Sequence, residues 1–157
     1  MTESRIQRRE MPVIDLRILS TGVIRGYVAL ATGTIDEAGL TLTQWGVLER
    51  CAKGQANTVT ALTEIVPVDQ ASISRAAHQL VRLDLLQRQR SSRDRRVVRL
   101  EATDKGRALV RQLSPQVAAI YAVLLEGIED GELQVFARVA RKVAANARGH
   151  HKRKGGR

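Results

Sequence analysis

The stretch that decides the fold is DQASISRAAHQLVRLDLLQRQRSSRDRRVVRLEAT, residues 69–103. From Leu85 to Thr103 it contains two short β-prone runs around a polar tip, with six arginines and one aspartate before Glu101. Its first half has the apolar spacing of a helix that opens at Asp69. A helix followed directly by a basic hairpin is typical of a recognition helix with a wing, which is a device for reading DNA.

The start of this helix carries two local signals. Asp69 is a candidate N-cap whose carboxylate accepts from the amide of Ala71 or Ser72, and the helix dipole favours its negative charge. Val68 and Ile73 occupy the two positions of a hydrophobic staple. Together these residues predict where the helix begins and the angle at which the chain enters it.

The helix periodicity separates an inner face from an outer one. The inner face is predicted to contain Ile73, Ala76, Ala77, Leu80 and Leu83. The outer face then contains Gln70, Ala71, Ser74, Arg75, His78 and Arg82.

The outer face offers side chains that match base edges. Arg75 suits guanine, Gln70 suits adenine, and Ala71 suits a thymine methyl group, with Ser74 as a further candidate. Ser72 is predicted to contact a phosphate, since hydroxyls and helix N-terminal amides usually position rather than specify. The alternative is that all five are ordinary solvated residues of a helix surface.

Three helices are predicted before residue 69. An amphipathic helix runs from Val13 to about Glu37 and stops at Gly39. Thr41 and Gln44 form a capping box for the second, whose inner face is Trp45, Leu48, Cys51 and Ala52. A short helix from about residue 60 to 66 uses Ala61, Leu62 and Ile65, and Pro67 closes it.

Two more helices are predicted after the hairpin. The first is capped by the segment Thr103 to Gly106, extends towards Ile128, and should be kinked by Pro115. The second runs from residue 132 to 147. Residues 148–157 contain no apolar side chain to bury and five positive charges, and are interpreted as a basic low-complexity tail.

Composition bounds the function. The 157 residues, 43% of them hydrophobic, suffice for one domain with a core, and only four aromatic side chains favour helix packing over a β-sandwich. A net charge of +10 implies a polyanionic partner. Because no run of about 18 apolar residues occurs, we expect no membrane span and a cytoplasmic protein.

Nothing in the sequence indicates a metal site, a cofactor or an active site. His78, His150 and His151 have no cysteine or carboxylate at ligand spacing, and no catalytic triad or phosphate-binding glycine loop occurs. The lone Cys51 is interpreted as a buried small hydrophobe. A redox role would require that it be exposed with a lowered pKa.

At this point the sequence resembles the MarR family of bacterial transcription regulators. The resemblance is carried by motifs in family order between residues 40 and 106, namely Leu40–Leu48, Asp69–Arg75, Leu83–Arg88, Asp94–Arg96 and Ala102–Gly106. It implies a mainly α fold with a small β-hairpin wing, in which residues 1–157 form one MarR-like domain. Residues 40–103 would form the winged helix-turn-helix, and residues 12–38 and 104–147 a helical dimerisation lobe.

The resemblance also implies roles at the wing tip. An arginine enters the minor groove while the nearby Asp94 holds the wing in shape. We expect Arg95 to be this probe and Arg96 to pair with Asp94, and Arg93 also gains from a narrow minor groove.

The resulting hypothesis is a homodimeric regulator, most simply a repressor, on double-stranded DNA with a pseudo-palindromic operator whose half-sites lie about 10 bp apart. In the family a small molecule, often an aromatic acid or related anion, releases the DNA. The candidate groups for such an effector are Arg17, Arg25, Tyr27 and Trp45, with plain packing and surface charge as the alternative. The rival function is a ligand-independent architectural protein that binds DNA or RNA through charge alone.

Overall fold

The computed structural model describes residues 16–90 and 98–154, apart from the side chains of residues 16–18, 90 and 147–154. Six helices and two strands follow one another in these ranges: α1 Leu16–Glu37, α2 Leu42–Ala52, α3 Val59–Thr63, α4 Gln70–Arg82, β1 Leu86–Arg90, β2 Val98–Ala102, α5 Asp104–Leu124 and α6 Asp130–Lys154. The predicted fold class, mainly α with a β-hairpin, is confirmed.

The chain divides after Leu124 into two compact units. The first contains α1 to α5 and the hairpin, and its core is almost entirely aliphatic. Its largest fully buried side chains come from all of these elements except α5 and β2, and are Ile35, Trp45, Val47, Leu48, Leu62, Ile73, Leu80 and Leu86. The second unit consists of α6 and the short segment before it.

The boundary between α1 and α2 follows the local signals. Gly39 has a φ of +72°, a left-handed conformation that glycine adopts without steric cost. The Thr41 amide then donates to Gln44 Oε1 at 2.7 Å, while the Gln44 amide donates to Thr41 Oγ1 at 3.2 Å. The predicted capping box is therefore confirmed.

Helix α3 is shorter than predicted and presents a different inner residue. It spans Val59–Thr63 with Thr58 as N-cap, so it ends four residues before Pro67. Leu62 is buried as expected, but Ile65 is 44% exposed and Val66 takes the inner position. Since the residue before a proline avoids helical dihedrals, the chain leaves the helix early, and helical spacing no longer applies at residue 65.

The last two helices also differ from prediction in length. Helix α5 continues through Pro115 but stops at Leu124, and Gly127, with a φ of +75°, lies in the turn before α6. Helix α6 continues to Lys154, seven residues beyond the predicted end at 147. Arginine and lysine are good helix formers and are favoured at the negative end of the helix dipole, which accounts for a helical basic segment. Within residues 16–90 and 98–154, no helix has both the length and the apolar character needed to cross a membrane.

Cys51 lies on the inner face of α2 and is buried. Burial raises the pKa of its thiol to about 11, the opposite of what a redox sensor needs. The interpretation of Cys51 as a core residue is therefore supported.

We expect iodoacetamide to label Cys51 at pH 7 only as fast as the protein unfolds, because the buried thiol carries almost no thiolate. Labelling should become rapid in urea, and the denatured protein serves as the control that the exposed thiol reacts. The raised pKa also predicts a stability contribution that is complete below the pKa of an unfolded cysteine, about 8.5. That contribution should decline as the pH rises through about 11. Rapid labelling of the native protein would contradict this assignment.

Candidate nucleic-acid interface

Helix α4 packs on the core through the face that its periodicity indicated. Ile73, Ala76, Ala77 and Leu80 are all buried. The fifth predicted inner residue, Leu83, is 44% exposed, and Leu85 is buried instead. Leu83 is the C-cap of α4, and the next residue, Asp84, has a φ of +59°. The chain therefore leaves the helix at Leu83, and helical spacing no longer places this side chain on the inner face.

The opposite face of α4 is open to solvent. All six residues predicted to lie there are exposed, namely Gln70, Ala71, Ser74, Arg75, His78 and Arg82. The side chains at its leading end are short or flexible, which permits close approach to a groove wall. The structure therefore brings the candidate base-reading residues together on one accessible helix face.

A chain of hydrogen bonds links three polar side chains at the start of α4. The Ser72 amide donates to Asp69 Oδ1 at 2.8 Å, and the Ser72 hydroxyl donates to Asp69 Oδ2 at 2.7 Å. Arg75 Nη2 in turn donates to Ser72 Oγ at 2.9 Å. The hydrogen bonds from Ser72 hold the pKa of Asp69 below its usual value. The N-cap prediction for Asp69 is confirmed.

This arrangement bears on the contact expected of Ser72. Its hydroxyl proton and its amide are both directed at Asp69, so neither is available to a phosphate in this conformation. A phosphate contact by Ser72 would require these bonds to break.

Helix α4 is also joined to α2 by a polar contact that the sequence reading missed. Gln44 is buried, and its Nε2 donates to Gln79 Oε1 at 2.6 Å while its own Oε1 serves the capping box. A buried amide must be hydrogen-bonded to avoid a desolvation penalty, so this bond constrains where α4 lies on α2. The only sequence signal was Gln44 itself, which the capping box already explained.

The wing is an antiparallel hairpin whose register runs from Leu86 opposite Ala102 to Arg90 opposite Val98. Leu86, Leu100 and Ala102 share one face of the hairpin and are buried, while Gln87, Gln89 and Arg99 on the other face are exposed. Arg88 lies on the same face as Leu86 but is exposed. The wing-tip candidates Arg93, Asp94, Arg95 and Arg96 lie outside the described residues.

Hydrogen bonds attach the base of this hairpin to its surroundings. The Leu100 amide donates to the Asn57 carbonyl at 2.7 Å, which ties β2 to the segment between α2 and α3. Thr103 donates through its amide to the Leu85 carbonyl at 3.1 Å and through its hydroxyl to the Asp84 carbonyl at 2.7 Å. The wing is thus held to the same body that carries α4.

The candidate effector residues are distributed between the surface and the core. Arg25 is exposed, and the side chain of Arg17 lies outside the described residues. Trp45 is 1% exposed, and its Nε1 has no hydrogen-bond partner within the described part of the chain. Tyr27 is half-buried and stacks on Tyr121, with ring centroids 5.5 Å apart.

The environment of Tyr27 includes charged groups that sequence reasoning did not identify. Burial, together with Tyr121 and the Glu49 carboxylate, raises the pKa of Tyr27 to about 12, while Arg50 opposes that shift. Glu49 is itself buried and accepts from Arg50 at 3.1 Å and from Lys53 at 2.7 Å. These groups come from α1, α2 and α5, which are distant in sequence, so no local pattern could have revealed them.

Metal binding receives no support from the structure in the ranges it describes, where no three histidine, cysteine or carboxylate side chains form a group that could hold an ion. The described basic side chains of the site, Arg75 and Arg82 on α4 and Arg88 and Arg99 on the wing, are exposed and suit a polyanion, whereas the exposed Asp69 has the opposite charge.

Comparison with protein families identifies a family of regulators. The model described as transcriptional regulator SarA/Rot matches residues 30–113, a segment that runs from the end of α1 through the wing into α5. This segment contains every described element of the candidate interface. The match is to regulators and not to enzymes, in keeping with the absence of catalytic motifs from the sequence.

Comparison with solved structures shows what the fold is similar to. A MarR family regulator from Listeria monocytogenes complexed with 26mer DNA has a TM-score of 0.75 and 24% identity, over 88% of this chain and 94% of that one. A MarR protein from Peptoclostridium difficile has a TM-score of 0.74 and 19% identity, over 95% and 97%. Bordetella bronchiseptica BpsR, whose DNA binding is regulated by 6-hydroxynicotinic acid, has a TM-score of 0.70 and 24% identity, over 83% and 94%. The predicted resemblance to MarR regulators is confirmed at the level of the fold.

Proposed function

The chain belongs to the SarA/Rot family of transcriptional regulators, and from this we propose that it is a homodimeric, sequence-specific DNA-binding repressor in the cytoplasm that a small molecule releases from its operator. The observation that carries the proposal is the exposed outer face of α4 beside a basic wing attached to the same body. A helix of this kind fits the major groove, and a basic hairpin follows the adjacent backbone.

In this proposal α4 and the wing contribute differently to binding. Arg75, Gln70, Ser74 and Ala71 contact base edges and supply specificity, while Arg88 and Arg99 contact phosphates and supply affinity. Arg93, Arg95 and Arg96 approach the minor groove, with Asp94 holding the tip in shape. Ser72 lies beside these residues and makes no direct DNA contact in this proposal, because its amide and hydroxyl proton are both directed at Asp69.

The homodimer is supported by the apolar surface on the helices outside residues 40–103, the winged helix-turn-helix that would form the reading head of each copy. Large apolar side chains are exposed on α1 and α5, among them Leu19, Val23, Ile24, Val28, Tyr121 and Val123. A second copy of the chain would remove such side chains from water. Large exposed apolar patches usually mark an interaction surface of this kind. Twofold symmetry then gives a pseudo-palindromic operator with half-sites about 10 bp apart.

The effector would bind near Tyr27, where α1, α2 and α5 approach one another. Around Glu49 two cations, Arg50 and Lys53, face one carboxylate, and this positive excess suits an anion, while the ring of Tyr27 suits an aromatic group. Arg17, Arg25 and Trp45 remain candidates for the same ligand. A ligand that favoured an unsuitable spacing of the two reading heads would need about 1.4 kcal/mol of coupling to weaken operator binding tenfold.

The test is selection of duplexes from a random pool, followed by footprinting with random competitor DNA. A discrete footprint of two related half-sites supports the regulator. Uniform coverage, with a steep loss of binding as salt rises, supports the architectural alternative and contradicts the proposal.

Two arginine variants should fail in different ways. We expect Arg75→Ala to relax the preference at one base pair in each half-site, at a cost of about 1–3 kcal/mol in discrimination. Arg95→Ala should weaken binding to selected and random duplexes alike. The measurement is a titration of both variants against the operator and its single-base-pair derivatives. Identical behaviour of the two variants would contradict the division of roles.

A further inference from the structure

We propose that Asp69 and Ser72 are positioning residues. They hold the Arg75 guanidinium along α4 in an orientation that favours contact with a base edge over contact with a phosphate. The inference rests on the proposed DNA-binding function and adds the means by which α4 distinguishes an operator from other DNA. It assigns to Asp69 a role beyond capping the helix, and to Ser72 a role other than binding phosphate.

The direction of the hydrogen bonds supports this assignment. The Ser72 hydroxyl gives its proton to Asp69 at 2.7 Å and accepts one from Arg75 at 2.9 Å, so the hydroxyl joins a carboxylate to a guanidinium. The Asp69 carboxylate is fixed in turn by the Ser72 amide at 2.8 Å. The Ser72 hydroxyl is thus oriented by Asp69, and the Arg75 guanidinium by Ser72.

Arg75 remains competent to read a base in this position. A guanidinium has five N–H donors, and Ser72 takes one of those on Nη2, which leaves enough for a bidentate contact with a guanine. Holding the side chain in place reduces the rotamer freedom that it must lose when it binds. The held orientation also limits its reach towards phosphates.

The carboxylate of Asp69 makes a second contribution. The N-terminus of a helix ordinarily attracts phosphate, because its free amides and its dipole favour an anion. Here Asp69 is exposed and already occupies the Ser72 amide with its own negative charge. A phosphate therefore meets repulsion at the end of α4, and binding that does not satisfy Arg75 at a base edge is disfavoured.

The decisive variant is Ser72→Ala, because it removes the hydroxyl while the backbone amide of residue 72 still caps α4 through Asp69. We expect discrimination between the operator and its derivative at the base pair read by Arg75 to fall about tenfold. Affinity for random duplex should stay within about twofold of the parent. Ser72→Thr keeps a hydroxyl at the same position and should restore discrimination. Thr32→Ala removes a helix hydroxyl that bonds only its own helix, at the Val28 carbonyl, and is the matched control.

The second variant is Asp69→Asn, which keeps a good N-cap side chain and removes the charge. We expect its affinity for random duplex to rise about threefold at low salt, as for the removal of one exposed repulsive charge. Urea denaturation of both variants checks that α4 remains folded.

The outcomes separate the inference from the function on which it rests. A parent protein that forms a discrete footprint while Ser72→Ala discriminates as well as the parent would overturn the inference alone. Unchanged random-duplex binding by Asp69→Asn would overturn the role of the charge. Uniform coverage of DNA by the parent protein would overturn the proposed function, and the inference with it.

Discussion

The Gly106→Ala variant is expected to unfold roughly 6–12 °C below the parent protein, because a methyl group at position 106 has no space. A Cβ built there would overlap the Leu85 carbonyl oxygen and lie 3.2 Å from Leu48 Cδ1. The Leu85 carbonyl cannot turn away freely, since it accepts the Thr103 amide at the base of the wing. Overpacking against backbone should therefore cost about 3 kcal/mol, the upper part of the usual range.

The matched control is Gly46→Ala, at another helical glycine of the same unit. Its added Cβ would lie 3.5 Å from Val66 Cγ1, an ordinary contact. Alanine should there be neutral or stabilising by up to about 1 kcal/mol, because it has the higher helix propensity. Thermal melts followed by circular dichroism measure both variants, and equal melting temperatures for the two would show that α5 does not approach Leu85 as described.

The Phe136→Asp variant is expected to be monomeric at micromolar concentration and to lose operator affinity by at least about 100-fold. Phe136 is 60% exposed on α6, and Leu133, Val139 and Val143 recur beside it at helical spacing and are also exposed. If this face of α6 meets a second copy in the proposed homodimer, a carboxylate there would be buried without a partner. A monomer would then bind one half-site without the benefit of the other.

Gln134→Asp is the control for this variant, because it introduces the same charge two residues away, on the opposite side of α6. It should keep the mass of a dimer in sedimentation equilibrium and bind the operator within about threefold of the parent. A dimeric Phe136→Asp protein with full operator affinity would exclude this face of α6 from the interface.

The fold could be predicted wherever a local interaction decides the structure. Asp69 as an N-cap and the capping box of Thr41 and Gln44 are contacts within four residues, so the sequence contains all of the information they need. Prediction failed just past helix ends. Leu83 and Ile65 lie where the backbone has already left helical dihedrals, so helical spacing assigned them to the wrong side.

The candidate site was predictable to a similar extent. The exposed residues of α4 followed from periodicity, because one face had to be buried. The bond between Ser72 and Arg75 depends on side-chain rotamers, and the proximity of Glu49 and Tyr121 to Tyr27 depends on how three helices pack. Neither has a sequence signature at short range.

The bond from the Leu100 amide to the Asn57 carbonyl has a consequence for the DNA sequences that this regulator can use. It attaches β2 to the body that carries α4, so in the proposed homodimer α4 and the base of its wing would keep a constant separation when one reading head rotates relative to the other. The protein then fixes the distance between the contacts in the major groove and the contacts on the backbone of one half-site. We therefore expect its operators to differ more readily in the number of base pairs between half-sites than in the arrangement of contacted positions within a half-site.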